Sequence, residues 1–198
     1  MWKKKAACIL AVMALCGTMA ASAAYYTILE KADKVETTVY GTTQTGSLND
    51  RIAALDKLLN GQSTVSGSLQ DKTNALYKDV YGNSGSDLSL LTAVNLMQWQ
   101  YSGQITDDPL LVRVESLEQS IDGKTLSGSL EGRVLSLRQA LLGNKKYVSQ
   151  TVTIPANTLV TMTNIDALNS KTIQEGDVVR FAVADDVCVG DVIAIPRG

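Results

Sequence analysis

The residues of this chain that could take part in chemistry are few, and their spacing is unfavourable. No histidine occurs among its 198 residues, which removes the usual general base, the commonest metal ligand and every Ser-His-Asp arrangement. Two pairs of adjacent carboxylates remain, Asp107-Asp108 and Asp185-Asp186. The first pair fits a helix start, where negative charge is stabilised. The second would bind a cation only weakly, because a calcium loop needs more oxygen ligands. We therefore predict no metal ligand.

The cysteine and glycine patterns predict no catalytic group either. Cys188 has neither a histidine nor a nearby lysine to favour its thiolate, and its apolar setting favours a buried thiol in a strand. A lone cysteine in an exported protein could also form an intermolecular disulfide. The glycines between Gly41 and Gly46 lack the lysine that follows a phosphate-binding loop. We expect no enzymatic activity, no catalytic residue and no cofactor.

A spacing of mostly apolar residues is repeated six times between Ile28 and Gly143. The structure that it encodes must position every polar group in the first three quarters of the chain. Each copy has four residues at intervals of four, three and four, followed by a glycine, and copies start 20 or 21 residues apart. These intervals place four side chains on one face of an α-helix, and the glycine ends the helix by adopting the left-handed conformation. The sequence therefore predicts six short amphipathic helices. They cover about residues 28–40, 47–60, 68–81, 88–101, 109–122 and 129–142.

Further signals support the helix starts. Ser47, Ser68 and Ser129 each precede a first apolar residue, which suits an N-cap, and Asp108 with Pro109 predicts a start with proline at the first helical position. Five of the six copies also carry a basic residue immediately before the second apolar position. These residues are Lys31, Arg51, Lys72, Arg113 and Arg133.

One continuous coiled coil is the alternative to separate helices. It would place several glycines inside the rod, at a cost of roughly 1 kcal/mol each relative to alanine. They include Gly46, Gly61, Gly67, Gly82, Gly123 and Gly128. We therefore prefer short helices joined by loops, which must bury their apolar faces against each other or against another chain, as in an array or solenoid. The fourth helix is apolar nearly all round, which predicts a position at the centre of the helical domain.

The N-terminus resembles an export signal in its layout. Lys3-Lys4-Lys5 is followed by a short apolar run and by Ala21-Ser22-Ala23, which predicts a signal peptide over residues 1–23. An uncleaved anchor and a lipoprotein cysteine at Cys16 are the alternatives. Cleavage would leave 15 basic and 20 acidic residues, a net charge of −5 that disfavours nucleic acid and anionic membranes as partners. We expect a periplasmic or secreted protein without a stable membrane span.

The apolar period changes after the sixth helix. Residues 144–150 form a predicted polar linker, and residues 151–198 contain short β-branched runs separated by turn residues. The predicted strands are Val152–Ile154, Leu159–Met162, Val178–Val183 and Val192–Ile195. The predicted fold class is therefore α+β, with a helical-repeat domain over residues 24–143 followed by a small antiparallel β-domain.

Two resemblances accompany this pattern. The frame of the last fifty residues includes Ile154-Pro155-Ala156-Asn157-Thr158, Glu175-Gly176-Asp177-Val178 and Ile195-Pro196-Arg197-Gly198. It resembles the small β-domains of bacterial envelope proteins, including the VirB10-like proteins of type IV secretion systems, whose chains continue into further strands. The helical repeat is similar to repeats of uncharacterised exported proteins of diderm Firmicutes. The first resemblance implies a β-domain that is truncated here or completed by another strand or chain.

These observations favour a non-enzymatic cell-envelope protein that acts as a structural or protein-interaction scaffold, through a protein partner or self-association. A second hypothesis is a glycan- or peptide-binding β-module on a helical spacer. It requires exposed aromatic residues, and the β segment offers only Tyr147 and Phe181. A third hypothesis, a fragment of a secretion apparatus, predicts further strands encoded after Gly198.

Overall fold

The computed structural model describes residues 26–61, 66–148, 150–169 and 171–198. The predicted signal peptide and its alternatives fall on residues that lie outside these ranges. Within them the α+β prediction is confirmed, because helices are followed by short antiparallel strands. The helices are α1 (Ile28–Tyr40), α2 (Leu48–Asn60), α3 (Leu69–Tyr81), α4 (Leu90–Ser102), α5 (Leu110–Asp122) and α6 (Leu130–Leu142).

Each helix has 13 residues, begins at the first apolar residue of its repeat and ends one residue before the repeat glycine. The predicted caps Ser47, Ser68 and Ser129 are confirmed, since each hydroxyl accepts a hydrogen bond from the N–H three residues later. The prediction for α5 is wrong by one residue. Pro109 occupies the N-cap position with an extended backbone, and the helix begins at Leu110. The six described helices are separate, so the alternative of one continuous coiled coil is wrong.

Helices α1, α2 and α3 contact one another and form a first layer, and α4, α5 and α6 form a second. The helices of a layer are parallel. Lys31 Nζ donates to Asn74 Oδ1 at 2.6 Å near the start of α1 and α3, and Thr38 Oγ1 lies 2.5 Å from Tyr81 Oη near their ends. These contacts make α1 and α3 parallel. The glycines that end α1 and α2 both face the second layer, so α2 is parallel to α1 as well. The loops within a layer must therefore return the chain along the helix, whereas the α3–α4 loop passes directly into the second layer.

The two layers are stacked end to end. Contacts join α1 to α5, α2 to α6 and α3 to α4. The C-terminal glycines of the first layer touch the N-caps of the second: a Cβ added to Gly41 would lie 2.7 Å from Pro109 Cγ, and one added to Gly61 would lie 3.3 Å from Ser129 Cβ. The helical array is therefore a closed body of two layers, and not a linear solenoid in which contacts are confined to neighbouring repeats.

Burial follows this stacking. The last apolar residues of α1, α2 and α3 and the first of α4, α5 and α6 form the joint between layers and are buried: Val39, Leu59, Val80, Leu90, Leu110 and Leu130. The burial predicted for α4 is confirmed, because it buries Thr92, Asn95 and Gln98 as well as its apolar residues. Its predicted central position is wrong: α4 contacts α3, α5 and α6, and every other helix likewise contacts the other two of its layer and one helix of the other layer. The last stripe residue of α4, Tyr101, lies at the outer end of the second layer and is 53% exposed.

The last fifty residues form two separate two-stranded antiparallel sheets, which we call the β-module. One sheet pairs β1 (Met162–Asn164) with β2 (Phe181–Val183), and the other pairs β3 (Val187–Val189) with β4 (Val192–Ile195). The predicted strand over Val152–Ile154 is wrong, and the one over Val178–Val183 is reduced to its second half. The turn after residues 152–154 is present, since Thr158 N–H donates to Pro155 O and Asn157 has φ 65°. Among the described residues no strand pairs with residues 152–154.

Candidate interaction surface

The carboxylate pairs singled out in the sequence lie on either side of the joint between the helical body and the β-module. Asp107 and Asp108 are exposed in the loop before α5, and Asp107 Oδ2 lies 3.6 Å from Arg180 Nη1 of the β-module. Asp186 accepts hydrogen bonds from Trp99 Nε1 at 3.2 Å and from Arg197 N–H at 2.8 Å. The second pair therefore contributes to domain docking. In the described ranges no cluster of three or more His, Cys, Asp or Glu side chains could hold a metal ion.

The interpretation of Cys188 as a buried thiol is wrong. The residue lies in a strand, as predicted, but its side chain is exposed. Val187 precedes it and is buried, and the register shifts between the two residues. Because successive side chains in a strand point to opposite faces, burial of Val187 directs the thiol outward.

The arginines of the repeat bind the preceding helix, whereas Lys31 of the first copy donates to an asparagine of α3. Arg51 donates through Nε and Nη2 to the Glu36 carboxylate at 2.9 and 2.6 Å, and Nη2 also reaches Asp33 at 2.5 Å. Glu36 is fully buried and accepts a further hydrogen bond at 2.7 Å from Gln44 N–H in the return loop. We call this arrangement the repeat clasp: a basic residue at the fourth helical position, an acceptor at the ninth position of the preceding helix, and a loop N–H.

The same clasp recurs between α5 and α6. Arg133 donates through Nε and Nη2 to Glu118 at 2.8 Å each, and Leu126 N–H donates to Glu118 at 3.0 Å. Burial raises the pKa of Glu118, but the hydrogen bonds from Arg133 and Leu126 outweigh it, so the pKa lies below its usual range. The sequence analysis found the basic half of the clasp and missed the acidic half. The signal was available, since each acceptor precedes its arginine by fifteen residues.

The clasp between α4 and α5 has neutral acceptors. Arg113 donates through Nε to Gln98 Oε1 at 2.8 Å and through Nη2 to Asn95 Oδ1, and Thr106 N–H reaches Gln98 Oε1 at 3.4 Å. Arg113 is only 4% exposed. Burial therefore lowers the pKa of its guanidinium to about 10, and the charges of Asp108 and Asp107 offset this only in part.

The β-module leaves large apolar side chains exposed. Leu159 and Val178 are each 89% exposed, and Met162 is 58% exposed. Leu168, Ile173 and Val178 line one open cleft of about 260 Å³. A single exposed apolar residue is ordinary, but several within fifty residues indicate a surface that another chain covers.

The outer edge of β1 is unpaired. Ala184 N–H donates to Thr161 O and Ile165 N–H donates to Arg180 O, at 2.8 and 3.0 Å. Hydrogen-bonded and non-hydrogen-bonded pairs alternate in an antiparallel ladder, so Met162 and Asn164 direct their backbone groups away from β2. Among the described residues no backbone group pairs with them. All three residues of the strand are exposed, so this edge can accept another strand.

The aromatic residues do not form a sugar-binding face on the β-module. Tyr147 is buried against the helical core, and only Phe181 is exposed. The clustered rings lie instead on α3 and just before α1: the ring centroid of Tyr77 is 4.7 Å from that of Tyr81 and 6.2 Å from that of Tyr26. These rings are tilted by 42 to 44°, and Tyr81 Oη donates to Lys34 O. The cluster therefore packs two helices together and offers no flat stacking surface.

No protein-family model matches this chain, and neither a curated protein nor a solved structure matches it significantly. No helix in the described part of the chain is long and apolar enough to cross a membrane. The candidate site is the exposed β1 edge together with the apolar residues around it.

Proposed function

We propose that this protein is a non-enzymatic, exported component of the cell envelope that acts as an assembly scaffold. In this proposal the two-layer helical body holds the β-module, and the β1 edge pairs with the same edge of a second copy. The observation that supports it most directly is the exposed strand Met162–Asn164, whose outward backbone groups have no partner among the described residues. The charged N-terminus and apolar run of the sequence support export.

A second copy suits this edge for a specific reason. Antiparallel pairing of β1 with itself about a two-fold axis places Met162 opposite Asn164 and Thr163 opposite its own copy. No charged residue faces a like charge in that arrangement, although the chain as a whole is acidic. A two-stranded sheet is marginally stable alone, whereas a four-stranded sheet across two copies would satisfy the outward N–H and C=O groups.

The test is light scattering after size exclusion on residues 24–198, over a wide concentration range. We expect a dimer mass for the wild type and a monomer for Met162→Lys, because a charged lysine on an edge strand opposes pairing with another strand. Leu135→Lys is the matched control: Leu135 is 64% exposed on α6, so this variant should remain a dimer. A wild-type monomer throughout would exclude self-pairing, and a dimer insensitive to Met162→Lys would move the interface elsewhere.

A further inference from the structure

The α4–α5 return loop, residues 103–107, combines the weakest of the three described clasps with the docking site of the β-module. We infer that this loop opens away from the helical body and releases the β-module, as a built-in opening, while the other clasped loops remain closed. This inference stands independently of the proposed self-association.

The first support comes from three equivalent hydrogen bonds. The loop N–H to acceptor distance is 2.7 Å for Gln44 to Glu36, 3.0 Å for Leu126 to Glu118 and 3.4 Å for Thr106 to Gln98. Only the last has a neutral acceptor, and hydrogen bonds to carboxylates are roughly twice as strong as neutral ones. Gln98 also donates through Nε2 to Thr106 Oγ1 at 3.2 Å, so two neutral hydrogen bonds hold this loop where each counterpart has a shorter bond to a carboxylate.

The second support is the guanidinium behind the loop. Arg51 and Arg133 each bind a fully buried carboxylate, whereas Arg113, which is also buried, binds two amides. The acids that act on Arg113 through their charge are Asp107 and Asp108, and both are exposed in or beside the loop. Movement of the loop would let water reach a buried cation that has no buried counter-charge, which lowers the free-energy cost of opening.

The third support is the limited contact between loop and β-module. Ile105 N–H donates to Arg197 O at 2.9 Å, and Trp99 Nε1 reaches Asp186. The ion pair of Arg180 with Asp107 is exposed and long, at 3.6 Å, so it contributes little. An open cleft of about 410 Å³ already separates the two parts, between the loop and residues that include Ile165 and Phe181.

Opening would change what the β-module offers to other chains. Gly198 N–H donates to Val183 O at 3.1 Å, so the C-terminal residues cover the outer edge of β2, and Arg197 ties the same residues to Ile105. Detachment from the loop would free this tether and expose Ile105, which is half-buried when the loop is closed. The device therefore controls access to the second edge of the β1–β2 sheet.

Hydrogen exchange followed by mass spectrometry or NMR tests the inference on residues 24–198. In the wild type the Thr106 amide should exchange at least about tenfold faster than the Gln44 and Leu126 amides, because it opens locally. Gln98→Glu should slow Thr106 exchange by about tenfold, since it restores the charged acceptor of the other clasps. Gln100→Glu makes the same chemical change on the exposed side of α4 and should leave the rate unchanged.

Trp99 provides a second readout, because it is the only tryptophan of residues 24–198 and its Nε1 contacts Asp186. Mild urea should shift its emission before the helical circular dichroism changes, and Gln98→Glu should bring the two transitions together. Equal protection of the three loop amides, or coincident transitions in the wild type, would overturn the inference. An unchanged Thr106 rate in Gln98→Glu would overturn it as well.

Discussion

Arg133 and Glu118 form a bidentate pair at 2.8 Å between two helices that begin 20 residues apart in the sequence. Neither side chain is accessible to an appreciable extent, at 8% and 0% exposure. The carboxylate also ties down the return loop through Leu126 N–H. One buried acid thus joins three segments of a repeat that could not be stable as an isolated helix.

Glu118→Gln is therefore expected to lower the free energy of unfolding by about 2 kcal/mol, because it leaves a buried arginine without its counter-charge. Glu115→Gln removes a second carboxylate that lies 3.9 Å from the same guanidinium but is 45% exposed. That variant should cost less than about 0.5 kcal/mol. Urea unfolding followed by circular dichroism measures both, and equal losses would show that burial of the pair is not what matters.

The pH dependence of stability should report the same group. The pKa of Glu118 is lowered in the folded protein, so it contributes stability above its ordinary value of 4.5 and loses that contribution as the pH falls through the lower folded value. Wild-type stability should therefore decrease below about pH 4.5, more steeply than that of Glu118→Gln. The variant should retain some slope, because the carboxyls of Glu30, Asp71 and Asp166 also have lowered pKa values. Parallel curves for the two proteins between pH 3 and 7 would contradict this assignment.

Replacing Asp79 should change the free energy of unfolding in the opposite direction to Glu118→Gln. Partial burial, with the negative charges of Glu131 and Asp56, raises the pKa of this carboxyl above its usual range. Such a group binds its proton more tightly in the folded state, so it destabilises the protein when ionised and ceases to do so at low pH. Asp79→Asn should gain a few tenths of a kcal/mol at pH 7, since the group is exposed enough for solvent to screen the neighbouring charges. The gain should vanish near pH 3, as thermal unfolding at both pH values would show.

The helix limits were predictable because every repeat contains both its apolar stripe and its terminating glycine. The stacking in threes was not, because a period of 20 or 21 residues fits a linear solenoid as well as a closed body. One signal of the boundary between layers was present in the sequence. The basic residue before the second apolar position of each repeat is replaced, in the fourth copy alone, by Ala93. Helix α4 starts the second layer, and the helix before it carries Tyr77 where a clasp has its acceptor, so no arginine is needed.

The β-module was predicted less accurately for a related physical reason. Its strands have three or four residues, so the alternation of apolar residues is too short to separate a strand from an extended loop. The exposure of Cys188 follows from its alternation with the buried Val187, but the sequence does not show which face of so short a strand is covered. The docking role of Asp186 depends on Trp99, which is 87 residues away, so it leaves no local signal in the sequence.

The end-to-end stacking of the layers makes a matched prediction at two glycines. Gly41 and Gly123 both end helices in the left-handed conformation, with φ of 85° and 69°. Alanine in that conformation costs about 1 kcal/mol, which is what Gly123→Ala should lose, because no atom lies within 4 Å of the added Cβ. Gly41→Ala adds a clash with Pro109 Cγ at 2.7 Å and should lose about 2–4 kcal/mol. Chemical unfolding of both variants measures the free energy that each substitution costs. Equal losses would mean that the end of α1 does not contact the start of α5 in solution.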